Sequence, residues 1–202
     1  MLSRIQLTAM LALAAVVWAV ALILQGVVVP AVWFRPFSLV LAVLILVLTV
    51  VDRWAWRFRL LQPWLVHMPD LRGTWRAEIR PTNSEQEGLT GYMAIRQTLS
   101  SINLRLLTEE SVSEILAARV LKAEDGTFSV AGVYRNIPKL SVRDRSPLHH
   151  GAILLSVHGD PPISLEGQYW TDRNSQGEIV LSNRSRKFAH SFGEAAEADA
   201  DG

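Results

Sequence analysis

The sequence predicts a membrane α-helical hairpin joined to an all-β domain, an eight-stranded antiparallel β-barrel. Three observations predict it. From Ile5 to Val51 the only charged residue is Arg35, whereas charges recur every few positions from Asp52 onward. After Pro69 apolar and polar residues alternate with a period of two, the pattern of half-buried strands. The alternating segments are parted by turn-forming stretches, among them PTNSEQEG, AEDG, GDPP and DRNSQG.

Composition bounds the function classes. A chain of 202 residues holds one domain of moderate size with appendages. Its net charge of +1 supplies no field that would gather polymeric nucleic acid. With no cysteine, disulfide and thiolate chemistry are ruled out, and a reducing compartment fits.

Residues 1–4 are read as a cytosolic N-terminus and 5–29 as the first transmembrane helix, at or beyond the ~20 residues that cross the hydrocarbon. Pro30 ends that run, and 30–36 form a connector whose Trp33 and Phe34 suit the headgroup region. Residues 37–54 are the second transmembrane helix, and 55–69 a juxtamembrane linker. A cleaved signal peptide fits poorly: the apolar stretch is too long, no small-residue cleavage site follows, and a second apolar run comes at once. Arg53, Arg57 and Arg59 follow the second run and Arg4 precedes the first, against Arg35 alone in the connector. The positive-inside rule then places both termini in the cytoplasm. The same arginines, with Trp54 and Trp56, would attract anionic lipid headgroups.

Residues 70–187 are read as the barrel, with strands at 71–80, 91–99, 101–109, 112–123, 127–136, 149–157, 163–171 and 177–186. The segment SVSEILAARVLKA also admits a helix, because its middle is rich in alanine. Alternation puts Leu71, Gly73, Trp75, Ala77 and Ile79 on one face, with Trp75 as a core plug and Gly73 leaving room for its ring. In the fifth strand Phe128, Val130, Gly132, Tyr134 and Asn136 share a face; in the seventh, Leu165, Gly167, Tyr169 and Thr171 do. Both series run from apolar through small to Tyr and then polar. A barrel with a greasy bottom and a polar, aromatic mouth follows, and eight strands leave room for one small ligand. Residues 188–202 are read as a disordered acidic tail.

Catalytic chemistry is not in evidence. The chain has no Gly-rich phosphate loop, nucleophile elbow or HExxH motif. His149 and His150 are strand neighbours pointing to opposite faces, so they cannot chelate a metal together, and DRNSQG is a hairpin turn rather than a calcium loop. Glu166 and Asp172 fall on the outward register, which makes a hydrolase a poor reading. No enzyme activity, metal or cofactor is expected.

The two apolar runs together with PDLRGTWRAEI, GVYRNIP, HHGAILLS and GQYWTDRNSQGEIVLS resemble the two-transmembrane β-barrel effectors of CBASS anti-phage systems, the CD-NTase-associated protein 15 family. The resemblance runs from the first apolar run to about Lys187. It implies a function. A partner CD-NTase senses phage and makes a cyclic dinucleotide, the cytosolic barrel binds it, and the effectors oligomerise and disrupt the bacterial inner membrane. The infected cell then stops growing or dies. Small residues in the first run (Ala9, Ala12, Ala14, Ala15, Ala19 and Ala21) permit close helix approach in such an assembly.

A cyclic dinucleotide needs aromatic planes for its bases and donors for its phosphates. Tyr134 and Tyr169 are the candidate planes, and Arg173, just past the seventh strand, the candidate phosphate fork. Asn136, Thr171 and His150 are candidates to read base edges or ribose hydroxyls. The competing reading is a membrane-tethered, lipocalin-like carrier of an apolar small molecule, which shares the Gly-x-Trp strand and the eight-strand count.

Overall fold

Strand β1 (Gly73–Pro81) turns Trp75, Ala77 and Ile79 toward an apolar interior and Arg76 and Arg80 to the outer face, and the strands after it repeat that division. This is seen in a computed structural model that describes residues 4–26, 35–58, 67–82 and 88–200, without the side chains of 4–10 and 35–38. Strands β2 (Leu89–Gln97), β3 (Ile102–Leu107), β4 (Ser111–Lys122), β5 (Phe128–Pro138), β6 (His149–His158), β7 (Ser164–Thr171) and β8 (Gln176–Ser185) follow in chain order. Each pairs antiparallel with its sequence neighbour, and β8 closes onto β1, so the eight strands form one barrel. Closure removes the unpaired edges that would otherwise invite association. The Ala-rich segment that admitted a helix is the strand β4, because its alternation can bury Ser113 and pack Ile115, Ala118 and Val120 on the interior.

One end of the barrel is filled. Leu71, Trp75, Val130, Leu155, Leu165 and Leu181 are almost wholly buried there. The side-chain amide of Gln97 donates to the Pro69 carbonyl and its oxygen accepts from the Leu71 amide (2.9 and 2.8 Å), tying the chain's entry to β2. Gly73 has a different reason from the one the sequence predicts. Its φ is +124°, and a Cβ there would lie 2.2 Å from the Ser185 carbonyl oxygen, where the β1–β8 register shifts. The backbone approach, not the Trp75 ring, requires the glycine.

The disordered tail is a correction. Residues Phe192–Ala200 form a helix, α3. Ser191 Oγ accepts from the Glu194 amide (3.2 Å) and Glu194 accepts from the His190 amide (2.8 Å), a reciprocal cap of the Ser-x-x-Glu kind. Ala195 is buried, Phe192 stacks on Tyr92 with centroids 5.5 Å apart, and Asp199 takes a 3.3 Å contact from Arg76. The Thr74 hydroxyl donates to the Lys187 carbonyl and accepts from the Ala189 amide, so the approach to α3 is anchored to β1.

The chain divides into two units, Met1–His67 and Met68–Gly202. The first contains helices α1 (Arg4–Leu24) and α2 (Arg35–Arg53) and a short 3-10 turn, Ala55–Arg57. Helices thus form where the apolar runs were read. Among the described residues, however, no helix is long and apolar enough to cross a membrane. Most of the connector read at 30–36 and much of the linker read at 55–69 lie outside the described residues.

Candidate ligand-binding site

The other end of the barrel is open and holds a cavity of about 380 Å³. Its depth is apolar, from Met93, Leu104, Leu106, Ile153 and Ile179. Its upper wall is polar and aromatic: Ser111, Ser113, Tyr134, Asn136, His149, Tyr169, Thr171 and Arg173.

The two tyrosines owe their placement to glycines on the next strand. Tyr134 pairs with Gly151 and Tyr169 with Gly177. A Cβ at Gly151 would lie 2.5 Å from the Tyr134 ring, and one at Gly177 would lie 2.8 Å from the Tyr169 ring. Each ring therefore lies flat on a bare backbone, a packing only glycine allows. Burial raises the Tyr134 phenol to about 12, with Tyr169 adding to the rise and Arg173 opposing it; burial raises Tyr169 as well. Both stay neutral at physiological pH, able to stack and to donate a hydrogen bond beside an anion without repelling it.

Around them the donors and acceptors are sorted. Asn136 Nδ2 donates to Ser111 Oγ (3.1 Å) and Ser113 Oγ (2.9 Å), while its Oδ1 is buried without a partner among the described residues. A buried acceptor left unpaired is costly, and a ligand N–H or O–H would relieve it. Arg173 rides on the β7–β8 turn, where the Thr171 hydroxyl meets Ser175 Oγ at 2.7 Å and the Arg173 and Ser175 amides at 3.3 Å. Among the described residues no carboxylate pairs with Arg173. Asn174, at φ 57°, makes the turn possible.

Of the six residues read from the sequence, five line this cavity: Tyr134, Asn136, Tyr169, Thr171 and Arg173. Thr171 does so with its hydroxyl engaged by its own turn, so it positions Arg173. His150 is a correction. It lies on the outer face, where its amide donates to Asp172 Oδ2 (3.0 Å) and its ring stands 3.5 Å from the same oxygen. His149 takes the inward place, opposite Asn136. The signal was present, since His149 shares parity with Ile153, Leu155 and Val157, the more apolar set of β6. Ser111 and Ser113 were missed because each side chain's role depends on the β4–β5 register.

His149 titrates in a useful direction. Burial lowers its value, the Pro147 carbonyl at 3.1 Å opposes that, and Arg173 adds to the lowering. The folded protein thus binds fewer protons here than the unfolded chain below the ordinary value of about 6.5. The stability contribution is complete above about pH 6.5 and is lost as pH falls from there toward the depressed folded value. The denaturation midpoint should fall between about pH 7 and pH 5, and His149→Gln should flatten that fall. An unchanged slope in the variant would assign the effect elsewhere.

Residues 66–183, more than half of the chain, match the family described as "Cap15, cyclic dinucleotide receptor domain". The chain belongs to the Cap15 family. CD-NTase-associated protein 15 of Staphylococcus schleiferi is 25% identical over 130 residues, covering 64% of this chain and 69% of that relative. The resemblance read from GVYRNIP and GQYWTDRNSQGEIVLS is thus to the family that the match shows. The Cap15 match ends at residue 183 and so takes in all of the polar rim, from Ser111 to Ser175, while α3 lies beyond it.

Proposed function

We propose that this chain is the membrane effector of a CBASS anti-phage system, whose barrel binds a cyclic dinucleotide made by a partner CD-NTase. One observation carries the reading: two glycine-seated tyrosines, with an Asn136 acceptor and an Arg173 guanidinium that have no partner and no ion pair among the described residues, converge on one cavity mouth in a Cap15 receptor domain. Stacking a base is worth about 1–3 kcal/mol and a charge-assisted phosphate bond about 1.5–3 kcal/mol, so micromolar affinity is within reach.

Binding drives oligomerisation and disruption of the bacterial inner membrane, arresting or killing the infected cell. Residues 5–29 and 37–54 embed in that membrane and the barrel faces the cytoplasm. In support, Leu13, Val16, Val17, Trp18, Val20, Ile23 and Leu24 of α1 are exposed, as is every residue from Val43 to Leu48 of α2. A helix apolar on all sides is unstable in water and stable in lipid.

The test is calorimetric titration of the full chain in mild detergent with a panel of purine and pyrimidine cyclic di- and trinucleotides. One cyclic dinucleotide should bind at micromolar affinity or better, and Arg173→Ala should weaken it by about 10- to 100-fold. Absence of binding across the panel would defeat the reading. The apolar depth of the cavity, from Met93 to Ile179, favours the apolar-carrier alternative, and preferential binding of fatty acids in the same assay would establish it.

A further inference from the structure

The ladder between β3 and β4 is the shortest in the barrel. It joins Leu107 to Val112, Leu106 to Ser113 and Arg105 to Glu114, and it stops there. At the next step β4 is irregular, its register against β5 shifting between Ile115 and Ala117. Such irregularities gather beside binding sites. A notch of about 340 Å³ opens in the outer wall at this point, and Leu104 and Ile115, whose side chains belong to the core, form its floor. The same two residues line the ligand cavity, so one layer of side chains parts the notch from it.

Arg96 and Arg105 stand over the notch. Arg96 pairs with Asn103 and Arg105 with Ala94, which makes the two arginines diagonal neighbours on the outer face of β2 and β3. The remaining wall comes from the chain after β8. Ala189 is buried with Tyr92 and Leu107, and its amide is held by the Thr74 hydroxyl, which leaves Phe188 and His190 to line the notch. Both lie beyond the Cap15 match, which ends at residue 183, so the matched receptor domain does not by itself contain this site.

Cations are in excess here. Arg96 makes no ion pair among the described residues, and its Cζ lies 4.0 Å from the centre of the Phe188 ring. A guanidinium held over a ring keeps its N–H edge available to an anion. Arg105 has one carboxylate neighbour, Glu114 at 3.6 Å, and Arg135 stands at the same distance from that glutamate. These pairs are long and partly exposed, so they hold the guanidinium weakly. Arg105 Nε is buried with no acceptor among the described residues.

We propose that the notch binds a phosphate group carried on an apolar or amphipathic remainder. Two arginines from different strands and the His190 ring border it from different sides, which suits a tetrahedral anion better than a planar carboxylate. The space exceeds that of a bare ion, and Leu104, Ile115 and Phe188 offer apolar surface to whatever the phosphate carries. Two sources share this chemistry, an anionic phospholipid headgroup and a soluble phosphomonoester. The site stands independently of the messenger reading.

The test is calorimetric titration of the full chain, in a mild detergent without phosphate, with glycerol 3-phosphate and with dioctanoyl phosphatidylglycerol. Glycerol 3-phosphate should bind, and the double variant Arg96→Gln, Arg105→Gln should weaken it at least tenfold while cyclic dinucleotide affinity stays within twofold. Arg96→Lys, which keeps the charge and gives up the planar fork, should lie between parent and double variant. Phosphatidylglycerol binding at least tenfold tighter than glycerol 3-phosphate, with the same loss in the double variant, identifies a lipid as the source; equal affinity identifies a soluble phosphomonoester. Binding of neither probe, or equal binding by parent and double variant, would overturn the site. A double variant that lost the cyclic dinucleotide and kept glycerol 3-phosphate would overturn it too, by assigning the arginines to the messenger.

Discussion

Trp75→Ala should remove about 3–5 kcal/mol of folding free energy, a large part of what a domain of this size possesses. The indole is fully buried at the closed end, and its Nε1 donates to the Leu71 carbonyl at 2.8 Å. Truncation leaves both a cavity and an unanswered buried carbonyl. The Arg184 guanidinium lies 5.4 Å from the ring centre, donates to the Arg72 carbonyl at 2.8 Å and pairs with Asp70 at 3.4 Å. Burial pushes the Asp70 carboxyl up, yet the hydrogen bonds and charge of Arg72, with help from Arg184, bring it below the usual carboxylate range. The plug and its charged cover therefore act together, and losing the ring loosens both. Denaturant titration of the full chain reads the effect as a lower midpoint at similar slope. A loss below about 1 kcal/mol would mean that the closed end does not depend on this side chain.

Removing both aromatic seats should have the largest effect on ligand binding. At about 1–3 kcal/mol per stacked base, Tyr134→Ala and Tyr169→Ala should each cost roughly 5- to 150-fold in affinity, and together about 30-fold to 10⁴-fold. Tyr→Phe at either position keeps the plane and loses one donor, so it should cost about tenfold or less. Gly177→Ala should act like Tyr169→Ala without touching the ring chemically. Its Cβ would meet the Tyr169 ring at 2.8 Å and the Arg80 carbonyl oxygen at 2.3 Å, so ring and strand must move. Titration of these variants against the best cyclic dinucleotide distinguishes stacking from simple packing. Affinity within twofold of the parent in the double alanine variant would place the ligand outside this mouth.

How much of this was legible depended on the range of the interaction. All eight strands were readable to within about two residues, because alternation and turn residues act between near neighbours. Tyr134 and Tyr169 were readable for the same reason, since each follows a small residue in an inward series. Helix α3 was obscured by its acidic, alanine-rich composition, although Ser191 and Glu194 stand at capping distance in the sequence. What stabilises it, Tyr92 and Arg76, comes from strands some hundred positions earlier. His149 rather than His150 faces the cavity because β6 buries the parity of Ile153 and Leu155, which His149 shares.

By itself, then, the order of residues determined a chain of two unlike halves, an apolar helical one and a sheet-forming one with aromatic and cationic groups gathered toward one end of its strands. Those properties are local: they follow from periodicity, charge spacing and turn chemistry. Only the tertiary structure decided which histidine faces the cavity, which glycines seat the tyrosines, and that Asn136 keeps an open acceptor while Thr171 does not. Cross-strand register sets each of these, and register emerges only when the wall closes and every strand must satisfy two neighbours at once.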